Sequence, residues 1–559
     1  TIGEHLIDKG IILPESQNHL LNDIAESMFG DATDPCDYQY GLTGTFALMV
    51  GFAIGLPPLW NIESGESRVG VFGLMDQGSN NGRGIIPSPP TAWSRIYAGW
   101  EVPVEPDFNS EMHLPLRDDG NIIKSSKIDK NSWIIYEGKR LDKISTVLEE
   151  NIKAGRFPGF ISAVARKGKV VHFETQGYSD LEKQIPLQKD SLFRIYSMSK
   201  PITGVALMIL LEEGKVRLND PVSLYIPEFA NTEVMTINED GTTSLEKLNR
   251  EVTIRHLATH TSGIAYSFTA IPQLRKIYAK ERLSPYFFID NFEALQINGN
   301  TVVSSGKSFP DICTFSAALA SKAPLMHQPG VKYTYSMGMD VLGCVIERAS
   351  GMKFDAFLEE KIFKPLQMND TSFSVPASKV DRFTSLYAYP GDLGRLIPEM
   401  EGKIPDDLLM IKIDDRSFSP YLKPATLFDG GSGLVSSTED YLKFAQMLLN
   451  GGELAGERIL SRKSVELMSS NLLPDNIKGS DDYIQGAGFG ITVGVIEDPG
   501  LIGQYGSEGM YFWGGAASTF FWVDPKEDLV AVVMTQLLAN PWPLRETFKA
   551  LVYLSLIHI

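Results

Sequence analysis

The pattern of apolar and polar residues becomes regular from Gly138 onward, where it predicts a helix followed by two strands. The segment LDKISTVLEENIKAG, residues 141–155, has apolar side chains at helical spacing and ends at a glycine. The segment FISAVARKGKVVHFETQGYSD, residues 160–180, alternates as two strands around the turn residues KGK. The segment ITGVALMILLEEGKV, residues 202–216, is strongly apolar and is closed by Gly214, which predicts a buried helix.

The C-terminal part of the chain carries a second hairpin pattern. The segment STFFWVDPKEDLVAVVMTQL, residues 518–537, alternates as two strands joined by a PKED turn, and a helical pattern follows in LRETFKALVYLSL. Strands near both ends of this part therefore enclose mainly helical sequence. We predict an α+β fold, with one antiparallel sheet flanked by helices plus an all-helical region.

Residues 1–135 differ in composition from the rest of the chain. They are rich in Gly and Pro and end in the polar stretch RDDGNIIKSSKIDKNS. A chain of 559 residues is also long enough for more than one domain. We therefore predict a small N-terminal module over residues 1–135 and a larger domain over residues 136–559.

Composition and charge narrow the range of partners. The formal net charge of −18 disfavours nucleic acids and anionic membranes, and no run of about 18 apolar residues predicts a membrane span. Cys36, Cys313 and Cys344 are far apart and odd in number, so we expect buried thiols and neither a disulfide framework nor a zinc site. No signal peptide is visible in this chain, which leaves a cytoplasmic and an exported location equally open.

The segment SLFRIYSMSKPIT, residues 191–203, is the first candidate for catalytic chemistry. A lysine three residues after a serine on a helix can reach the serine hydroxyl and accept its proton, which would make Ser197 a nucleophile and Lys200 its base. The S-x-x-K spacing alone is weak, because it also occurs at Ser244, Ser304 and Ser350. Only Ser197 follows an apolar strand-like stretch and precedes a buried-type helix, a placement that suits a rigidly held nucleophile.

Two further segments add candidate groups. Tyr335 lies in a polar turn before an apolar helix and could relay protons, although a packed aromatic residue is the simpler interpretation. In FWGGAASTFFWVDP, residues 512–525, Gly514 and Gly515 would let the strand backbone approach a substrate, and the Ala516 N–H could join that of Ser197 in an oxyanion hole. A simple bulge is the alternative for this glycine pair.

Taken together, these segments resemble the serine β-lactamase-like superfamily, in the style of class C β-lactamases, DD-peptidases and family VIII carboxylesterases. The similar stretches follow one another in the order found in that superfamily: FRIYSMSKPIT, VTIRHLATHTSGI, PLMHQPGVKYTYSMGMDVLGCVIERASG, GGSGLVSSTEDYLKFAQMLLNGG, GAGFGI and WGGAASTFFWVDP. The resemblance implies a β-lactamase/DD-peptidase-like fold and a serine hydrolase that forms an acyl-enzyme and needs no cofactor or metal.

The resemblance also implies a role for each matching residue. Ser197 would be the acylated nucleophile, Lys200 its base partner and Tyr335 the second base and proton relay. The N–H groups of Ser197 and Ala516 would form the oxyanion hole. The substrate-binding positions would be Trp513, Gly514, Gly515 and Met337, whereas His256 and His260 would be structural.

Two departures from the superfamily pattern bear on the substrate. Met337 stands where class C enzymes have an asparagine that contacts the substrate amide, and Trp513 stands where β-lactamases and peptidases have Lys or His. Both changes favour a small or medium carboxylic ester over a β-lactam or peptide. A β-lactamase, a D-amino-acid peptidase or amidase and an acyltransferase remain alternatives with the same Ser-Lys-Tyr site. The expected partner is a small-molecule ester, and homo-oligomerisation is left open.

Part of the N-terminal module, residues 41–101, resembles an immune-inhibitor-A-type metalloprotease. That family binds zinc through an HExGHxxGLP helix. The corresponding stretch here is LMVGFAIGLP, in which Leu48, Met49 and Phe52 replace the two histidines and the glutamate. The resemblance therefore implies a metalloprotease-like module that lacks zinc ligands and protease activity.

Overall fold

The computed structural model describes residues 112–115, 122–125, 141–238, 240–283, 295–297, 300–303, 309–392, 409–474, 477 and 485–555. The chain divides into two compact units, Thr1–Ile134 and Ile135–Ile559. In the first unit, β1 (Met112–Pro115) and β2 (Ile122–Ser125) pair as an antiparallel hairpin. The polar stretch at residues 117–132 that ends the predicted N-terminal module therefore contains a strand. The metalloprotease-like stretch, residues 41–101, lies outside the described residues.

The second unit is built on one eight-stranded sheet whose neighbouring strands all run antiparallel. Its strand order is β16-β17-β18-β19-β20-β3-β4-β5. The strands are β3 (Gly159–Arg166), β4 (Lys169–Asp180), β5 (Ile185–Pro186), β16 (Ala487–Phe489), β17 (Gly494–Ile496), β18 (Tyr511–Gly514), β19 (Phe520–Asp524) and β20 (Leu529–Met534). The pairing of β20 with β3 joins the two predicted hairpins, so the sheet is assembled from distant parts of the chain, as the sequence pattern predicts.

Helices cover both faces of this sheet and form a separate helical region. The helices are α1 (Asp142–Lys153), α2 (Ser199–Glu212), α3 (Ile254–Ala258), α4 (Pro272–Glu281), α5 (Ile312–Lys322), α6 (Gly338–Ser350), α7 (Phe354–Leu358), α8 (Thr438–Leu449), α9 (Arg462–Met468), α10 (Pro499–Ile502) and α11 (Leu544–Ser555). A π-helical turn, Glu359–Phe363, continues α7. None of the helices among the described residues combines the length and the apolarity that a bilayer crossing requires.

The remaining strands lie outside the main sheet in two- and three-stranded pairings. They are β6 (Leu192–Arg194), β7 (Glu233–Ile237), β8 (Thr243–Lys247), β9 (Leu295–Ile297), β10 (Asn300–Val303), β11 (Leu386–Ala388), β12 (Ile411–Asp414), β13 (Val435–Ser437), β14 (Glu453–Leu454), β15 (Glu457–Arg458) and β21 (Leu537–Leu538). The pairing of β6 with β13 matters for function, because β6 leads directly to Ser197.

The core lies on both faces of the sheet because side chains alternate along each strand. On β3, Ile161 and Ala163 join the large cluster that contains α2 and α6, whereas Phe160 and Val164 join the cluster that contains α1 and α11. All of α2 from Ser199 to Leu210 is buried, as its uninterrupted apolar sequence predicts.

The expectation of unpaired cysteine thiols is wrong for two of the three cysteines. Cys313 on α5 and Cys344 on α6 form a disulfide, with their Cα atoms 4.8 Å apart. Their separation of 31 residues gives no sign of the pairing, which arises because α5 packs along α6. Cys36 lies outside the described residues.

Candidate active site

Ser197 lies in a single turn of 3-10 helix, Tyr196–Met198, that connects β6 to α2. Tyr196 is 3% exposed and has φ of +43°, a left-handed conformation that non-glycine residues rarely adopt. The chain therefore bends sharply just before Ser197 and presents it at the start of α2, which is buried from Ser199 to Leu210. Burial of the residues on either side holds this turn in place, and Ser197 itself is partly exposed.

The three predicted catalytic groups meet at the Ser197 hydroxyl. Lys200 Nζ is 3.0 Å from Ser197 Oγ, one helical turn away. The phenol oxygen of Tyr335 is 2.6 Å from the same Oγ, although the two residues are 138 positions apart in the chain. The hydroxyl therefore has one amine and one phenol within hydrogen-bonding distance, as proton transfer from a nucleophilic serine requires.

Lys200 is completely buried and surrounded by acceptors. Besides Ser197 Oγ, its Nζ is 2.9 Å from Tyr266 Oη and 2.8 Å from the carbonyl oxygen of Gly431. These three oxygens hold the amine in one position beside the Ser197 hydroxyl. The same Nζ lies 4.8 Å from the centre of the Tyr335 ring, so the amine is next to both the hydroxyl and the phenol.

A pair of buried carboxyl groups holds the segment that carries Gly431. The Gly431 N–H donates to Asp429 Oδ1 at 2.7 Å and to Asp340 Oδ1 at 3.1 Å. Burial and the neighbouring charge of Asp429 raise the pKa of Asp340 well above its ordinary value. The raised pKa favours the protonated form of Asp340, in which the two carboxyl groups can lie together at the Gly431 N–H.

Sequence reasoning missed Tyr266, Asp340 and Asp429. Tyr266 follows the stretch VTIRHLATHTSGI by two residues, and Asp429 immediately precedes the stretch GGSGLVSS. Both lie next to segments already singled out, so proximity to those segments was the available signal. Asp340 is a carboxylate within an otherwise apolar helical segment. Such a residue indicates a buried polar group with a specific hydrogen-bonding role.

The two histidines have structural roles, as expected. His256 Nδ1 accepts the Thr253 N–H at 3.1 Å and completes a capping box on α3. His260 Nδ1 accepts the Ser336 N–H at 3.0 Å, and its ring lies 4.6 Å from that of Tyr335. Burial lowers the pKa of His260 well below its ordinary value, with Lys200 adding to the effect, so this imidazole is neutral and supports the tyrosine by packing.

Aromatic side chains line the site around Tyr335. The Trp513 ring is 5.7 Å from the Tyr335 ring and 5.1 Å from that of Phe489, while Tyr266 stacks on Phe268 at 5.1 Å. Trp513 is partly exposed. The Trp513 side chain therefore presents an apolar, uncharged surface next to the phenol.

The other predicted binding positions differ in accessibility. A Cβ atom on Gly515 would lie 2.4 Å from the Ile195 carbonyl oxygen, so only glycine lets this strand end so close to the Ser197 turn. Ala516 follows in a turn and is itself exposed, whereas the next residue, Ala517, is buried. Met337 caps α6 and is 1% exposed, so its side chain belongs to the core rather than to the open surface of the site.

Known proteins are similar to most of this chain in sequence. A family model described as Beta-lactamase matches residues 144–554. Protein Rv1367c of Mycobacterium tuberculosis (strain ATCC 25618 / H37Rv) is 32% identical over 408 residues, which are 71% of this chain and 90% of that protein. Esterase EstB of Burkholderia gladioli is 27% identical over 417 residues, 74% of this chain and 94% of the esterase.

A solved structure extends the similarity to the fold. The structure of EstCE1, described as a hydrolase with promiscuous acyltransferase activity, covers 74% of this chain and 99% of its own, with a TM-score of 0.57 and 23% sequence identity. The predicted β-lactamase/DD-peptidase-like α+β fold is thus confirmed.

Proposed function

This chain is a serine hydrolase of the beta-lactamase family, and from that premise we propose that it hydrolyses carboxylic esters through an acyl-enzyme formed on Ser197. The observation that carries the proposal is the convergence on one hydroxyl, with Lys200 Nζ at 3.0 Å and Tyr335 Oη at 2.6 Å. A serine hydroxyl is a weak nucleophile until a neighbouring base takes its proton, and here two candidate bases are in contact with it.

The proposed reaction has two steps. In the first, Ser197 Oγ attacks the ester carbonyl carbon, and its proton passes to the Lys200–Tyr335 pair. The carbonyl oxygen becomes an oxyanion that accepts hydrogen bonds from the N–H groups of Ser197 and Ala516. Tyr335 then donates a proton to the leaving alcohol. In the second step, water attacks the carbonyl carbon of the acyl-enzyme and gives its proton to the Lys200–Tyr335 pair. The proton then returns to Ser197 Oγ as the carboxylic acid leaves.

The preference for esters rests on what lines the site. Trp513 offers an indole where β-lactamases and peptidases would have a cation, and its ring packs against Tyr335 and Phe489. Such a wall suits the apolar acyl or alcohol part of an ester. Met337 cannot donate the hydrogen bond that an amide substrate would need, and it is buried besides.

Covalent labelling tests the nucleophile. A fluorophosphonate probe should label the wild-type chain and fail to label Ser197→Ala, with ester hydrolysis falling about 10⁴-fold or more. Ser350→Ala is the matched control, because Ser350 also precedes a lysine at S-x-x-K spacing but lies at the end of α6. Labelling that persists in Ser197→Ala, or that disappears in Ser350→Ala, contradicts the proposal.

A substrate panel tests the bond that is cleaved. We expect a short p-nitrophenyl ester to be hydrolysed with a kcat/KM at least about 100-fold above that of a chromogenic β-lactam. The reverse order would assign the site to β-lactam hydrolysis. Adding an alcohol acceptor and measuring new ester against free acid decides whether the acyl-enzyme passes its acyl group to water or to an alcohol.

We further infer that residues 1–135 form a metalloprotease-like module without a zinc site. Support comes from the sequence, where Leu48, Met49 and Phe52 occupy the positions of the two ligands and the base, and neither Leu nor Phe can bind zinc. The full chain, purified and measured by elemental analysis, should contain less than stoichiometric zinc and should not digest casein. Stoichiometric zinc that is removed by a chelator together with proteolytic activity would overturn this inference.

A further inference from the structure

Arg545, in the first turn of α11, contacts the strand end that carries the proposed oxyanion donor. Its Nη2 donates to the carbonyl oxygen of Gly515 at 3.0 Å. A Cβ atom on Gly514 would lie 2.7 Å from both Cζ and Nη2 of Arg545, so the guanidinium lies against the bare backbone of that glycine. The guanidinium carbon is also 5.4 Å from the centre of the Phe520 ring.

The geometry of the peptide unit connects this contact to catalysis. The Gly515 carbonyl and the Ala516 N–H belong to one planar trans peptide, in which C=O and N–H point in opposite directions. A group that fixes the direction of the Gly515 oxygen therefore fixes the direction of the Ala516 N–H. A cation at the oxygen end also polarises the peptide and makes its N–H a stronger donor.

We propose that Arg545 is a positioning residue that aligns and polarises the Ala516 N–H of the oxyanion hole through the Gly515 carbonyl. The inference rests on the proposed function, since it requires an oxyanion to form at this peptide. Although the charge of Arg545 also interacts with the Tyr335 phenol, the hydrogen bond that Arg545 makes is to the Gly515 carbonyl of this peptide.

Two other contacts hold this turn, one at the Gly515 oxygen and one at the Gly515 N–H of the preceding peptide, and they limit the expected effect. The Gly515 oxygen also accepts the Ser518 N–H at 3.1 Å, and the Gly515 N–H donates to the Thr519 carbonyl at 2.8 Å. These neutral bonds keep the turn formed when Arg545 is removed. The charge-assisted bond from Arg545 is the stronger contact to that oxygen, so its loss should misalign the donor without unfolding the strand.

Steady-state kinetics with a neutral p-nitrophenyl ester tests the inference. Arg545→Ala should lower kcat about 10- to 100-fold with KM within about threefold of wild type, because the lost interaction exists only in the transition state. The Ki of a boronic acid that forms a tetrahedral adduct with serine should rise by the same factor. Arg545→Lys, which can still donate to Gly515, should recover most of the loss.

Lys549→Met is the matched control. Lys549 lies one turn further along α11, carries the same charge at pH 7, where the assay is run, and also faces Phe520 at 5.7 Å, but it donates to Gln504 rather than to Gly515. We expect its kcat to stay within about twofold of wild type. If Lys549→Met lost as much kcat as Arg545→Ala, the effect would come from positive charge on α11 in general. That result would overturn the inference.

Gly514→Ala supplies an independent test from the other side of the contact. Its new Cβ would push away the guanidinium, which is the flexible end of a side chain, so the strand should fold while Arg545 leaves the Gly515 oxygen. Gly514→Ala should therefore reproduce the kinetic defect of Arg545→Ala, and the double variant should be no worse than either one. Additive losses would show that the two residues act separately and would contradict the inference.

Failure of the inference differs from failure of the proposed function. If wild type is labelled at Ser197 and Arg545→Ala keeps the wild-type kcat and Ki, the inference alone is wrong. If Arg545→Ala changes only the KM of esters that carry a carboxylate, Arg545 binds substrate charge and does not position the peptide. If wild type is neither labelled at Ser197 nor active on esters, both proposals fail together.

Discussion

At the scale of single residues, the site is organised around one buried amine. Lys200 reaches three oxygens, those of Ser197, Tyr266 and Gly431, from a position with no solvent exposure. A buried amine needs hydrogen-bond partners, and these three oxygens supply them. The carboxyl pair of Asp340 and Asp429 holds the Gly431 segment and so fixes one of the three acceptors.

Tyr335→Phe should separate the phenol from the ring that carries it. The ring packs between His260 and Trp513 and should stay in place, while the hydroxyl at 2.6 Å from Ser197 is lost. We expect kcat for a p-nitrophenyl ester to fall about 10²- to 10⁴-fold, as for loss of a general acid or base.

The control for this variant is Tyr333→Phe, since Tyr333 lies in the same aromatic cluster, 5.6 Å from Phe489 and 5.7 Å from His260. Its kcat should stay within about threefold of wild type. A Tyr335→Phe variant with nearly normal kcat would leave Lys200 as the sole proton carrier.

Lys549 should lower the stability of the protein at neutral pH. It is 3% exposed, and burial lowers the pKa of its ammonium from 10.5 to about 8, with Arg545 adding to the effect and Glu546 opposing it. Below pH 8 the amine is charged in both states, and the folded state bears the cost of burying it. Lys549→Met should therefore raise the free energy of unfolding at pH 7 by roughly 1–3 kcal/mol, after allowing for the lost bond to Gln504.

The pH dependence gives this prediction a distinct signature. Between pH 8 and 10.5 the unfolded chain binds a proton that the folded chain has lost, so the stability of wild type rises relative to Lys549→Met. The gain from the substitution should shrink across that window in denaturant titrations. A gain that is independent of pH would mean that Met improves packing and that no buried charge was removed.

At the residue scale, sequence indicates proximity where spacing and context coincide. Ser197 and Lys200 are three positions apart at a buried helix start, and local geometry alone brings them together. The approach of Tyr335 from 138 residues away depends on the packing of α6 against α2, which only the resemblance could suggest. The contact of Tyr266 with Lys200 could not be predicted from the sequence. A tyrosine in a turn has the same sequence context whether its ring packs in the core or its hydroxyl binds a lysine.

At the scale of elements, periodicity predicted the long, regular pieces and missed the short ones. The helix predicted over residues 141–155 is α1, Asp142–Lys153, and the hairpin predicted over residues 160–180 is β3 and β4. The outer strands β16 and β17 have three residues each and are rich in glycine, so they carry no alternation that a pattern could detect.

The disulfide between α5 and α6 should stabilise the helical region. Closing a loop with a separation of 31 residues lowers the entropy of the unfolded chain and is worth about 3–4 kcal/mol in the chain-entropy model. We expect the double variant Cys313→Ala, Cys344→Ala to lose stability on that scale in urea while keeping its kcat at 25 °C, since neither cysteine contacts Ser197. Wild type treated with reductant should match the double variant, and an unchanged midpoint in both would show that the bridge does not contribute.

At the scale of the whole molecule, the sheet depends on both ends of the second unit. Strand β20 pairs with β3 over six residues, and α1 and α11 share one hydrophobic cluster. The helical region is therefore inserted between two halves of one sheet, and neither half can complete its pairing without the other. The pairing of the two ends in one sheet was predictable because both hairpins show a clear alternation of apolar and polar residues in the sequence. The register between β20 and β3 was not predictable from that pattern.

Deleting residues 1–134 should leave an active enzyme. Every group named in the site, both hydrophobic clusters around the sheet and the Beta-lactamase match lie within residues 141–555, and the unit boundary falls at Ile134. Removing the first unit therefore breaks no strand of the main sheet and exposes no gap in its pairing. The shortened chain should unfold cooperatively and hydrolyse a p-nitrophenyl ester with kcat/KM within about threefold of the full chain, because the transition-state contacts are unchanged. A folded deletion variant whose KM rises severalfold at constant kcat would instead give residues 1–134 a part in holding substrate, and restoring the KM by adding the separate module would establish that part directly.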